Sequence, residues 1–202
     1  MTEAPPATGG VLLAGGLARR MGGGDKALVV LAGRTLLDHV IARLGPQVVG
    51  LLLNVNGDPA RFAAWNLPTA PDPVPDHPGP LAGVLAGMEH FAARGVPWVV
   101  SVAADTPFIP ADLVARLHAA RGPRPIAVAR SGGRTQPTIA LYATGLAADL
   151  RQALLGGERK IDRWTARHGE GYATWPEGPP DPFFNVNTPE DLAAAEALIG
   201  RG

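Results

Sequence analysis

Short apolar runs bounded by glycine, asparagine or aspartate constrain this chain most. GGVLLAGG (9–16), VVGLLLNV (48–55) and WVVSVAAD (98–105) each read as a strand buried on both faces, with segments of helical spacing between them. Leu36, Leu37, Val40, Ile41 and Leu44 recur at helical intervals behind a Thr35 N-cap, and Gly45-Pro46 stops them. Pro80 to Arg94 reads as a helix with small residues on one face, and further helices are expected over Leu146 to Leu155 and Ile161 to Arg167. A short helix is expected over Asp58 to Trp65, and Pro68 to Pro80 forms a long proline-rich loop. DTPFIPADL is expected to turn directly into a helix with Pro110 near its first turn. PIAVAR and TIALYAT flank the turn SGGRTQP as strands, and GYATW is another. The last helix has Thr188 as N-cap, Pro189 at N1, and Glu190 and Asp191 in its first turn. This alternation predicts an α/β fold, a mostly parallel central sheet covered on both faces. In such sheets ligands bind beyond the carboxyl ends of the strands, here near Leu13, Asn54, Ala104 and Phe184.

Glycine and proline are abundant (26 and 21 residues), yet 46% of the chain is hydrophobic, which excludes the low-hydrophobicity compositions that stay disordered. The length suits one domain: residues 1–8 are expected to be a flexible Pro/Ala lead and residues 9–202 a single domain. Eighteen basic and eighteen acidic residues cancel, so no global field draws the chain onto nucleic acid or an anionic membrane; neither is expected as a partner. With no cysteine, disulfides, thiolate metal sites and cysteine nucleophiles are excluded. The start lacks a signal-peptide pattern and no run approaches a membrane span, so a cytoplasmic location is expected.

The loop after the first strand, LAGGLARRMGGGDK (Leu13 to Lys26), holds five glycines and the cations Arg19, Arg20 and Lys26. Glycines leave backbone amides free to approach an anion, and fixed cations stabilise phosphate charge, so a triphosphate suits both. Neither a Walker A nor a dinucleotide-binding fingerprint is present. A solvated basic loop is the other reading of these residue types. Asp105 closes WVVSVAAD at the sheet mouth, where a carboxylate can hold Mg²⁺ against phosphates or, alternatively, cap the next helix. Asn185 and Asn187 lie two apart, so a strand there would aim both the same way, although Asn187 also suits a turn into the last helix.

The arrangement LAGG followed by RMGGGDK resembles the signature loop of nucleotidyltransferases and, more narrowly, that of the molybdenum cofactor guanylyltransferase (MobA) family. HPGPLAG (77–83), DTPFIP (105–110), PTIALY (137–142) and FNVNTPEDL (184–192) agree in order and spacing, so the resemblance covers almost the whole chain. Residues between Arg151 and Gly178 match least distinctively.

The resemblance implies a three-layer Rossmann-like nucleotidyltransferase fold. It implies an enzyme that transfers GMP from GTP to the terminal phosphate of molybdopterin, with Mg²⁺ as cofactor, forming molybdopterin guanine dinucleotide and pyrophosphate. Leu13, Ala14, Gly15 and Gly16 would contact the nucleotide, Arg20 and Lys26 its phosphates, and Asp105 the metal. Asn54 and Asp72 are at positions the family uses for GTP, while Asn185 and Asn187 would lie toward the metal or acceptor. The acceptor would be molybdopterin or molybdenum cofactor, and molybdoenzyme-maturation proteins are candidate partners.

Guanine carries N1–H and a 2-amino group side by side, a donor pair that one carboxylate or two backbone carbonyls can accept; Asp72 is the expected carboxylate, with Asp58 and Asp76 competing, and PGPLAG (78–83) would supply close backbone approach. Glu158 to Lys160 with Arg163 either meets the acceptor or is a solvated helix end. The five histidines show no zinc-ligand spacing, and the four tryptophans read as packing anchors. Alternatives are a molybdenum cofactor cytidylyltransferase, a sugar-phosphate nucleotidyltransferase and a non-catalytic nucleotide-binding adaptor.

Overall fold

The computed structural model describes residues 5–16, 23–75 and 79–200. In chain order the elements are β1 (Thr8–Leu13), β2 (Val30–Leu31), β3 (Arg34–Thr35), α1 (Leu36–Leu44), β4 (Leu51–Asn54), β5 (Thr69–Ala70), α2 (Pro80–Ala92), β6 (Trp98–Ala103) and α3 (Leu113–Arg121). They continue with β7 (Ile126–Ser131), β8 (Arg134–Ala143), α4 (Ala147–Leu155), α5 (Ile161–His168), β9 (Glu170–Trp175) and α6 (Pro189–Ile199). Seven strands form one sheet in the order β5-β4-β1-β6-β8-β7-β9, with β2 and β3 as a separate small hairpin. β8 is antiparallel to both its neighbours, while β1, β4, β5 and β6 pair in parallel, as do β7 and β9.

Period-2 alternation sorts the strand residues into two cores. Leu12, Leu53, Val100 and Leu141 pack with Leu37, Val40 and Leu44 of α1 and with Leu113 and Leu117 of α3. Their chain neighbours Val11, Leu52, Val99 and Ala140 face the other way, onto Leu81, Leu85 and Met88 of α2, Leu150 of α4 and Trp164 of α5. The three-layer α/β expectation is therefore met. A smaller cluster of Leu31, Leu36, Phe108, Val186 and Ala195 seats α6.

The small face of α2 has a specific use. A Cβ on Gly87 would lie 2.6 Å from Val11 Cβ, and one on Gly83 would lie 2.2 Å from Asn54 Oδ1, so glycine lets this helix ride directly on β1 and β4. The expected caps are present: Thr35 and Thr188 each form a reciprocal capping box, with Asp38 and Asp191 respectively.

Several boundaries differ from the sequence-based expectation. Thr8, assigned to the lead, is buried and opens β1, its hydroxyl donating to Pro6 O at 2.7 Å. Val48 and Val49 precede β4, which starts at Leu51, although Val49 N–H already donates to Thr8 O of β1 at 2.9 Å. The long loop contains the short edge strand β5, paired with Leu53 and Asn54. Residues Pro59–Trp65 form a 3₁₀ helix, and α3 starts at Leu113, three residues beyond Pro110. No helix among the described residues is long and apolar enough to cross a membrane.

Candidate active site

Beyond the carboxyl ends of β1, β4 and β6 lies a cleft of about 390 Å³. β1 runs directly into Ala14, Gly15 and Gly16, β4 ends on Asn54, and β6 is followed by Ala104 and Asp105; all of these line the cleft. Leu13, Lys26 and Asp72 line it as well. Lys26 N–H donates to Gly16 O at 3.1 Å, so the glycine-rich loop leaves and re-enters at one point on the cleft mouth. The preceding Asp25 accepts from Arg61 Nη1 at 2.5 Å, tying this point to the Pro59–Trp65 turn.

At the end beside the glycine-rich loop, Lys26 Nζ donates to Asp105 Oδ2 and to Asn187 Oδ1. The Lys26 and Asp105 side chains are only 13% and 18% exposed, so their attraction is less screened than that of a surface pair. Asp105 is not the cap of α3, which has no side-chain cap. Its carbonyl accepts from Val186 N–H at 3.0 Å, and the buried Thr106 hydroxyl donates to Asn185 Oδ1 at 2.7 Å. These bonds fasten residues 185–187 onto the end of β6.

Asn185 and Asn187 thus do not share one direction. No strand forms there; a turn at Asp181 precedes them, and Phe183 and Val186 bury themselves in two different clusters. Asn185 is spent holding Thr106, while Asn187 reaches Lys26. Asp105 and Asn187 present oxygens to one positive charge, a donor set that fits a divalent cation needing only one or two protein ligands beside phosphates.

At the other end, Asp72 is framed by two asparagines. Asn54 Nδ2 donates to its Oδ1 and Asn56 Nδ2 to its Oδ2, both at 2.9 Å, and Asp72 N–H donates to Asn56 Oδ1 at 3.0 Å. Asn54 is nearly fully buried and also donates to Ala70 O at 3.3 Å. Asp58 is used elsewhere, accepting from Ala60 N–H at 2.9 Å as a cap.

The chemistry available is therefore polar at both ends with free backbone between: a shielded cation beside a carboxylate, a run of glycines, and a fixed carboxylate suited to a paired hydrogen-bond donor. Arg19, Arg20 and Asp76 lie outside the described residues. Glu158 and Arg163 line a separate cavity with Asp149 and Arg167, and Glu158 accepts from the amides of Arg159 and Lys160. Among the described residues no three His, Cys, Asp or Glu side chains gather as a metal-holding group. Trp164 is fully buried and Trp175 nearly so.

Asn56 and Thr138 also line the cleft and went unread in the sequence. Asn56 had a signal, standing two residues beyond Asn54 in extended chain and so on the same side. Thr138 had none, since only the antiparallel entry of β8 beside β6 brings it there.

The family model for the MobA-like NTP transferase domain matches residues 10–171. A molybdenum cofactor guanylyltransferase of Rhodopseudomonas palustris is 57% identical, over 97% of this chain and 96% of that protein. Another, from Nitrobacter hamburgensis, is 55% identical over 98% and 97% respectively. Among solved structures, molybdopterin-guanine dinucleotide biosynthesis protein A from Archaeoglobus fulgidus superposes with a TM-score of 0.76 at 25% identity, covering 96% of this chain and 100% of that one. With a glycine-rich loop opening onto the cleft, a shielded lysine–carboxylate pair and a full-length match at this identity, the chain belongs to the MobA-like NTP transferases, among the molybdenum cofactor guanylyltransferases.

Proposed function

We propose that this protein transfers GMP from GTP to the terminal phosphate of molybdopterin, giving molybdopterin guanine dinucleotide and pyrophosphate. The observation that carries the reading is the meeting of Lys26, at the end of the glycine-rich loop, with Asp105, at the end of β6, across one cleft. An oxygen of the acceptor phosphate attacks the α-phosphorus of GTP, and the bond from that phosphorus to the oxygen bridging it to the β-phosphate breaks. The acceptor is already anionic, so no covalent enzyme intermediate is needed.

This chain's own part is alignment and charge stabilisation. The amides of Gly15 and Gly16 and the Lys26 ammonium receive the triphosphate, with Leu13 and Ala14 lining the cleft beside them and Arg20 as a second cation from the same loop; the Ala14 N–H is itself spent on Asn54 O at 3.0 Å. Asn54 and Asp72 receive the guanine, with the Asp72 carboxylate accepting from N1–H and the 2-amino group. The divalent ion, assigned here as Mg²⁺, would be held by Asp105 with Asn187 beside it, and when bound it neutralises phosphate charge.

The test is pyrophosphate release from each of the four nucleoside triphosphates, with and without molybdopterin. Release from GTP that requires molybdopterin is expected. Preferential release from CTP would overturn the base assignment, and saturable GTP binding with no turnover on authentic acceptor would make the protein an adaptor. Lys26→Ala is expected to abolish transfer while the far-UV spectrum stays native; wild-type turnover in that variant removes Lys26 from the mechanism.

A further inference from the structure

We propose that Asn56 is a positioning residue for base selection, locking the plane of the Asp72 carboxylate so that both its oxygens face a two-donor base. The inference rests on the reading of Asp72 as the acceptor for guanine and goes one residue beyond it. Asp72 Oδ1 is anchored by Asn54, itself wedged under Gly83 of α2. That contact alone leaves the carboxylate free to pivot, because the terminal torsion of an aspartate is broad. Asn56 removes the freedom: its Nδ2 donates to Oδ2 at 2.9 Å while its Oδ1 accepts the Asp72 N–H at 3.0 Å. One amide thus holds the backbone and the side chain of the same residue, and its orientation is unambiguous because one end faces a donor and the other an acceptor. Asn56 is held in turn, since its carbonyl accepts from Arg61 Nη2 at 2.9 Å.

The consequence for recognition follows from counting acceptor sites. A carboxylate offers about four lone-pair positions, two on each oxygen. The two asparagines take one on each, which leaves one open on each oxygen for an N1–H and an adjacent 2-amino hydrogen. A base with only N1–H engages one oxygen, and a pivoting carboxylate serves it nearly as well as a fixed one. Guanine needs both oxygens in plane, so guanine gains more from Asn56 than hypoxanthine does.

The experiment compares GTP with ITP, which lacks the 2-amino group, in the wild type, Asn56→Ala, Asp72→Asn and the double variant, reading KM and kcat separately together with equilibrium binding of each nucleotide. Asn56 is exposed, so its truncation leaves the packed core untouched. In Asn56→Ala the KM for GTP is expected to rise about tenfold, on the scale of one lost charge-assisted hydrogen bond, while that for ITP moves by about twofold or less. Added to Asp72→Asn, the same truncation should change neither further. If Asp72→Asn loses its preference for GTP while Asn56→Ala keeps it in full, the positioning role is wrong and the base reading stands. If Asp72→Asn keeps the preference, the base reading itself fails and Asn56 falls with it. Equal losses for GTP and ITP in Asn56→Ala would reduce Asn56 to a merely structural contact and overturn the proposal.

Discussion

Single side chains in this cleft act through what stands behind them. Gly83 is the clearest case: in the interior of an exposed helix, alanine is favoured over glycine by roughly 1 kcal/mol. Here the added methyl would sit 2.2 Å from Asn54 Oδ1 and 2.6 Å from a Leu13 side-chain carbon, so steric displacement outweighs the propensity gain. Gly83→Ala is expected to lower stability by about 1–3 kcal/mol and to weaken GTP binding through Asn54; unchanged binding by calorimetry would count against Asn54 at the base end. His118 carries a different kind of consequence. The Thr8 hydroxyl spends its only proton on Pro6 O, so it accepts from His118 Nε2–H at 2.8 Å, and the ring is the neutral Nε2–H tautomer. Burial, helped by the Arg121 charge, holds its pKa down to about 4, from an ordinary 6.5. Between those values the unfolded chain binds a proton that the folded ring refuses, so this contribution to stability is complete above pH 6.5 and is lost as pH falls toward 4. Denaturant melts across pH 4–7 should show that slope flatten in His118→Gln.

At the scale of elements, α6 links a helix cap to the chemistry. Asp191 Oδ2 accepts from both Thr188 N–H, at 3.0 Å, and Asn187 N–H, at 2.9 Å, while Thr188 caps the Asp191 amide. Losing the Thr188 cap in Thr188→Ala costs about 1 kcal/mol on the usual scale. Asp191→Ala also frees Asn187, which faces Lys26 beside Asp105. Both variants should melt earlier by chemical denaturation, but Asp191→Ala should in addition require more Mg²⁺ for half-maximal turnover; equal metal dependence in the two variants would separate the cap from the site. The termini of α6 and α1 were legible because a capping box is a local pattern of side chain and amide three residues apart. The start of α3 was not: Pro110 suited a first turn, but the chain first closes turns at Ala103–Thr106 and Pro110–Leu113 before the helix begins at Leu113.

Across the whole molecule, nucleotide recognition and stability are coupled, since a ligand that binds only the folded state stabilises it by mass action. At a hundredfold excess over Kd this amounts to about 2.7 kcal/mol, which for a domain of this size raises Tm by roughly 5–10 °C. GTP with Mg²⁺ should give such a shift and CTP much less; equal shifts would place the base outside the reach of Asp72. By itself the sequence determined the alternating elements, the caps of α1 and α6, and a glycine-rich loop with Lys26 leading from β1, because burial periodicity and local hydrogen bonding depend on neighbours only a few residues away. It also carried the family resemblance, through motifs spread from Leu13 to Leu192. Tertiary structure alone decided that Asn187 meets Lys26 while Asn185 holds Thr106, that Asn56 completes the frame around Asp72, and that Thr138 enters the cleft on a reversed strand. Those contacts join residues distant along the chain, and they follow from strand order and from which hydrophobic cluster each anchoring side chain enters, properties that no short stretch of sequence contains.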